Sequence, residues 1–221
     1  MAKKTRTPPP PRTKQQGPRR REASRAPAGL TTRRNALLAG VVAGGAVVAI
    51  VLAISLSGGK SSAGVDSAAL AKKLTAAGCT FKTYPSQGQS HVQSLAATVK
   101  YNSFPPTSGP HYFQPAVWNR YLGPLVLVQE VHNLEHGGVI IQYGDKVPSS
   151  MIDQLNAFYD GSPNGMLLAP LPQLGTQIAV SAWTHLATCT RYSGDAFSAF
   201  RNAFRGKGPE GFLVSALKPG S

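Results

Sequence analysis

Two histidines and a carboxylate stand close together in His132-Asn133-Leu134-Glu135-His136, and Gly137-Gly138 and the apolar run Val139-Ile140-Ile141 follow at once. A second stretch, Pro105-Pro106-Thr107-Ser108-Gly109-Pro110-His111-Tyr112, sets another histidine on a turn stiffened by prolines. Imidazole is the commonest protein ligand for zinc and copper. His91, His111, His132 and His136 therefore form a candidate zinc or copper set, with Glu135 as an oxygen ligand or as the acceptor that orients a ring. The competing reading makes the same residues hydrogen-bonded histidines of loops and core, with no ion.

The order H-N-L-E-H also matches the H-x-x-E-H pattern of inverted zinc peptidases, in which two histidines bind the metal and the glutamate activates water. That use needs a long helix, and Gly137-Gly138 followed by a β-branched run cuts any helix here short. Ser108 lacks the G-x-S-x-G setting of an activated nucleophile and reads as a turn serine bonding to backbone. His185 falls in the apolar strand expected at Val180-Ser181-Ala182-Trp183-Thr184-His185 and reads as structural. Phosphate loops, dinucleotide glycine patterns and paired carboxylates are missing from the sequence, which argues against those enzyme classes.

Asp66 through Leu74 reads as a short helix with an Asp or Ser cap and a stop at Gly78. Ser150 opens a second helix through Phe158 that stops before Gly161. A third runs from Ser193 to Arg205 with Phe197, Phe200 and Phe204 on one face. Thr98–Tyr101, Leu125–Val131, Gly138–Tyr143, Met166–Ala169 and Gln177–Trp183 read as strands. Helices and strands alternate without a regular βαβ rhythm, so the expected class is α+β: one domain with a small mixed or antiparallel sheet and about three helices.

Residues 1–34 carry eleven Lys/Arg against one acid, and residues 35–221 carry twelve against eight, so the formal charge of +14 sits mostly in the tail. That tail is rich in Pro and Arg, has few large apolar side chains and reads as disordered. It lacks interleaved aromatics, which argues against nucleic-acid binding; attraction to anionic lipid explains it more simply. Ala36 to Leu56 is 21 residues with no charge, enough for a transmembrane helix, here placed at 35–57. The basic excess before it puts the N-terminus in the cytoplasm and the remainder outside. A cleaved signal peptide is the alternative; the long leading segment and the long apolar run favour an uncleaved anchor. Gly40 and Gly44 form a GxxxG, a spacing that chance also produces in an Ala/Gly-rich span. Residues 58–65 make a flexible linker, and the folded domain is expected at 66–221. Outside the cytoplasm, the two cysteines, Cys79 and Cys189, are expected to pair.

His91-Val92, the Pro105–Tyr112 and Val131–Ile141 blocks, Ser181-Ala182-Trp183 and Gly208-Pro209-Glu210 together resemble the bacterial domain-of-unknown-function family 3105 over residues 79–213. The resemblance implies a single-span membrane protein with this domain outside. It implies no established activity, and it places His91, His111, His132, Glu135 and His136 in motif blocks. The chain departs from the family at Gln87-Gly88-Gln89-Ser90, where members tend to carry charge.

The expectation is a membrane-anchored extracytoplasmic domain that binds zinc or copper through a His/Glu cluster. The alternatives are a metal-free envelope module that docks a protein partner and a metallohydrolase with Glu135 as base.

Overall fold

A computed structural model describes residues 66–221. The expected tail, membrane span and linker, residues 1–34, 35–57 and 58–65, lie outside the described residues. Among the described residues no helix is long and apolar enough to cross a membrane.

In chain order the elements are α1 (Ser67–Ala76), β1 (Cys79–Thr83), β2 (His91–Val92), β3 (His111–Tyr112), α2 (Leu127–Glu135), β4 (Val139–Tyr143), α3 (Ser149–Asp160), β5 (Met166–Pro170), β6 (Ile178–Ala182), β7 (His185–Cys189) and α4 (Gly194–Phe204). Five strands make a mixed sheet in the order β1-β7-β6-β4-β5. Only the β4–β5 pair in it is parallel, with α3 as the crossover; the other pairings are antiparallel. The α+β class is as expected. The fourth helix, α2, is the addition.

Side chains alternate across each strand, so the sheet has two unlike faces. Val139, Ile141, Met166, Leu168, Ile178, Val180 and Ala187 point to one, where Leu70 and Leu74 of α1, Leu155 of α3 and Phe197, Phe200 and Phe204 of α4 cover them. Ile140 and Leu167 point to the other and meet Leu134 of α2, Ala116 and Trp118. The first face is a helical core. The second is a layer of one helix and long loops, and it holds the buried polar residues His111, His132 and Glu135.

Local signals explain most elements. Asp66 caps α1 by accepting from the N–H groups of Ala68 and Ala69, and Gly78 follows the helix at φ +82°. Ser193 caps α4 through Ala196 N–H. The expected serine cap of α3 is replaced by Pro148 at the cap position, with no side-chain bond to the helix.

Three strand expectations need correction. Leu125–Val131 is not a strand: helix α2 starts inside it at Leu127. The alternating β-branched residues mimic a strand, yet α2 is buried almost all round, at Val128 and at Glu130 through Glu135, so no polar face marks its period. Thr98–Tyr101 is not a strand either. Its neighbourhood is hydrogen-bonded by a side chain: Gln87 Nε2 donates to the Lys100 carbonyl, and Gln87 Oε1 accepts from Asn102 N–H. Finally, Val180–His185 is broken by a turn at Trp183-Thr184, and His185 opens β7. Its Nδ1 donates to the Trp183 carbonyl at 2.7 Å and its ring lies 4.1 Å from that of Phe204, a structural setting.

Cys79 and Cys189 form the expected disulfide. They are direct partners in the β1–β7 register and close a separation of 110 residues.

Candidate metal centre

Two local devices bring the histidines together. The first is the short parallel pair β2–β3, in which His91 stands opposite His111 and Val92 opposite Tyr112. Partners at one register position point the same way, so the two imidazoles lie side by side with centroids 4.8 Å apart. The Pro105–Tyr112 block holds this pair. Thr107 and Ser108 are fully buried. Ser108 Oγ accepts from Gln87 N–H at 3.1 Å, as a turn serine should, and the N–H groups of Gly109 and His111 donate to the carbonyls of Gly88 and Ser90. The stretch Gln87–Ser90 is thus the strip of backbone against which the proline-rich turn is laid.

Helix α2 is the second device. His132 and Glu135 are three residues apart and share a face. The helix ends in a Schellman motif: Gly138 N–H donates to the Asn133 carbonyl and Gly137 N–H to that of Leu134. Gly137 sits at φ +88°, and a Cβ there would lie 2.8 Å from Gly208 N, so both conformation and space demand glycine. The buried Asn133 grips Ala116 from both sides, accepting its N–H at 2.9 Å and donating to its carbonyl at 2.8 Å.

The two devices meet at Glu135. Its Oε2 lies 2.8 Å from His111 Nε2, 3.6 Å from His91 Nε2 and 4.0 Å from His132 Nε2. Ligand atoms of these four residues all fall within 4.8 Å of one another. Around a tetrahedral zinc at ordinary bond lengths, two ligands stand about 3.3 Å apart, inside the spread of those contacts.

The hydrogen bonds fix which atoms face inward. His111 Nδ1 is 2.8 Å from the Gly109 carbonyl, and His132 Nδ1 is 2.8 Å from the Tyr112 carbonyl. A carbonyl can only accept, so each Nδ1 carries the proton and, in the neutral ring, each Nε2 offers a lone pair to the cluster. Two acceptors, His111 Nε2 and Glu135 Oε2, then face each other at hydrogen-bond distance in a buried place. Such a contact needs a positive centre between them, a proton or a metal ion. Burial, reinforced by His111 and His91 nearby, lowers the pKa of His132 against the opposing pull of the Tyr112 carbonyl and Glu135. The neutral, metal-binding form is therefore favoured.

Of the expected site residues, His91, His111, His132 and Glu135 converge, with His91 on the exposed rim. His136 is the C-cap of α2 and turns the other way, with Nε2 2.9 Å from Glu210 Oε2. Burial, then the neighbouring His132, pushes its pKa down to about 4. Glu210 was not anticipated. The close glycines of Gly206-Lys207-Gly208-Pro209-Glu210 are the one sequence sign that backbone there approaches another backbone: Gly206 N–H donates to the Gly137 carbonyl and Glu210 N–H to that of Glu135.

Glu130, also on α2, stays out of the cluster. Its Oε2 accepts from Gln142 Nε2 at 2.8 Å, its Oε1 has no partner among the described residues, and burial raises its pKa to about 8.

The family profile described as Protein of unknown function (DUF3105) matches residues 91–214. The chain belongs to that family. The DUF3105 match begins at His91 and includes His111, His132, Glu135, His136 and Glu210, so both polar groups lie wholly inside it. Helix α1 and strand β1 precede the match, and the disulfide therefore ties the matched region to a segment outside it. None of the curated proteins and none of the solved structures matches the chain.

Proposed function

We propose that this domain binds one divalent transition-metal ion through His91, His111, His132 and Glu135, on the outer side of a membrane to which residues 35–57 anchor it. The observation that carries the reading is the convergence of three imidazole Nε2 atoms on one carboxylate oxygen, with two of the rings locked by backbone carbonyls. Locking Nδ1 in this way is how proteins orient metal-binding histidines. A set of three nitrogens and one oxygen, with no sulfur, suits zinc(II) first and copper(II) second. The anchoring rests on the uncharged stretch Ala36–Leu56 and the basic excess before it.

Elemental analysis of the purified full chain tests the site. The wild type should hold about one equivalent of zinc or copper, and Glu135→Leu and His111→Ala should each hold almost none. A metal-free wild type after reconstitution would sink the reading and leave the envelope interaction module. For the anchoring, protease added to intact cells should digest the folded domain and spare residues 1–34; the reverse pattern would overturn it.

A second reading has one observation behind it. His132, His136 and Glu210 form another three-ligand group, with Glu135 beside it on the same helix, the composition of a metallohydrolase that uses Glu135 as base. Against it, Glu135 Oε2 is already engaged by His111 at 2.8 Å, the position of a ligand rather than of a base facing water. Unchanged metal content in Glu135→Gln together with loss of a hydrolytic activity would favour this second reading.

A further inference from the structure

Beside the buried set lies a shallower one that shares a residue with it. His132, His136 and Glu210 present ligand atoms within 4.8 Å of one another. The rings of His132 and His136 meet edge to face at 4.6 Å, and Phe212 packs on the outer side of His136 at 4.2 Å. His132 belongs to both sets. Its Nδ1 is committed to the Tyr112 carbonyl, so Nε2 holds its one available lone pair, and one ion at a time can take it. The two sets are thus alternative positions for an ion and not the halves of a two-metal centre.

Away from His91, which at 41% forms the open rim of the four-ligand set, side-chain exposure rises from 0% at His111 and 2% at Glu135 through 7% at His132 and 14% at His136 to 35% at Glu210. The number of ligands changes in the opposite sense, four in the buried set and three in the shallow one. Within the four-ligand set, His111 and His132 are the rigid rings, and His91 has contacts to Glu135 and to the neighbouring rings. His111 and His132 are each held by a backbone carbonyl, whereas among the described residues His136 is held by Glu210 and by ring contacts. A bare divalent ion is costly to move through a dry interior, so its transfer must proceed by exchanging ligands one at a time.

We propose that His132, His136 and Glu210 form a loading station for a divalent metal ion. The ion is taken from solvent by Glu210 and His136, is passed to His132, and keeps His132 while Glu135, His111 and His91 replace the outer pair. The inference rests on the metal reading above and adds the route to it. Glu210 enters the mechanism as a ligand of the station and not of the resting site.

The test is the rate at which the full chain takes up zinc ion and gives it up to a chelator, in the wild type, Glu210→Gln and His136→Ala. A lost station slows uptake and release by the same factor, about tenfold or more by analogy with lost charge guidance at clefts. Affinity and the content of one equivalent stay as in the wild type. Slower uptake alone, with weaker affinity, would reduce Glu210 to electrostatic steering and overturn the station. Lost zinc content in either variant would make its residue a resident ligand, with the same consequence. Unchanged rates in both variants, with faster exchange in His91→Ala, would place the route past His91 and refute the proposal. A wild type that takes up no zinc would instead remove the metal reading itself. Glu210 is partly exposed, so its conservative replacement leaves the fold intact even where His136→Ala does not.

Discussion

On one side of the five-stranded sheet, Phe197, Phe200 and Phe204 of α4 stack against Val180, Ala187 and the disulfide, with α1 and α3 beside them. On the other side, α2 buries Glu130, His132, Asn133 and Glu135 within about two turns. The helical face needs little beyond apolar area and close packing, terms that many sequences satisfy. The loop-covered face must satisfy its buried polar atoms one by one, and a missing partner, as at Glu130 Oε1 among the described residues, costs as much as a lost core methylene or more. The difference teaches how one sheet serves two kinds of packing: the strands are shared, with apolar packing on one side and the buried polar cluster on the other.

Four experiments break or sharpen that division. The largest effect is expected from the Cys79→Ser/Cys189→Ser pair, which should lose about 5 kcal/mol of unfolding free energy in the chain-entropy account, read by denaturant titration. Phe200→Ala, fully buried on the helical face, should cost about 3–4 kcal/mol by the same measurement. Its zinc affinity in the folded state should be close to that of the wild type; a large loss would show that the two faces are coupled. Zinc at a hundredfold excess over its dissociation constant should stabilise the wild type by about 2.7 kcal/mol and leave Glu135→Leu unmoved. Equal stabilisation of both would remove Glu135 from the site.

The last experiment, read as a slope over a single pH unit and smallest on that scale, concerns Glu130, studied with chelator present. Its folded pKa is raised by burial to about 8, above the ordinary carboxylate value of 4.5. Between those values the folded state keeps a proton that the unfolded chain has released, so stability contributed by this group falls as pH rises through the window, by at most about 1.4 kcal/mol per pH unit. Glu130→Gln should flatten that part of the profile. An unchanged slope would show that another group causes it.

The helical face was readable in advance and the other face was not, for a physical reason. Helix α1 announces itself by Asp66 and Gly78, and α4 by Ser193 and three phenylalanines at helical spacing. These are local signals with one wet and one dry side. Helix α2 has no wet side over most of its length, and its start, Leu125–Val131, is written in strand-forming residues; tertiary burial overrides that preference. Strands β1 and β7 were missed as units because β1 is short and half polar and because the turn at Trp183-Thr184 holds no glycine or proline; Thr184 itself takes φ +62°. The residue types of the cluster were legible, since His91, His111, His132 and Glu135 are chemically loud. Their company was not, because it depends on a two-residue parallel pairing and on a loop 75 residues further on from Glu135 that delivers Glu210 to His136.

The position of the disulfide has a mechanical meaning. β1 is an edge strand whose one sheet neighbour among the described residues is β7, and Cys79 is its first residue. A pull arriving through the chain before α1 would unravel that helix and then peel β1 from β7 like a zipper, one pair at a time, beginning at Cys79. The covalent link closes the zipper at the end where peeling would start. Tension is thereby carried past the edge strand and delivered to β7, an interior strand bonded on both sides, where several ladder bonds must yield together. With the link oxidised, the sheet bears load as a block; with it reduced, its edge becomes the weak seam.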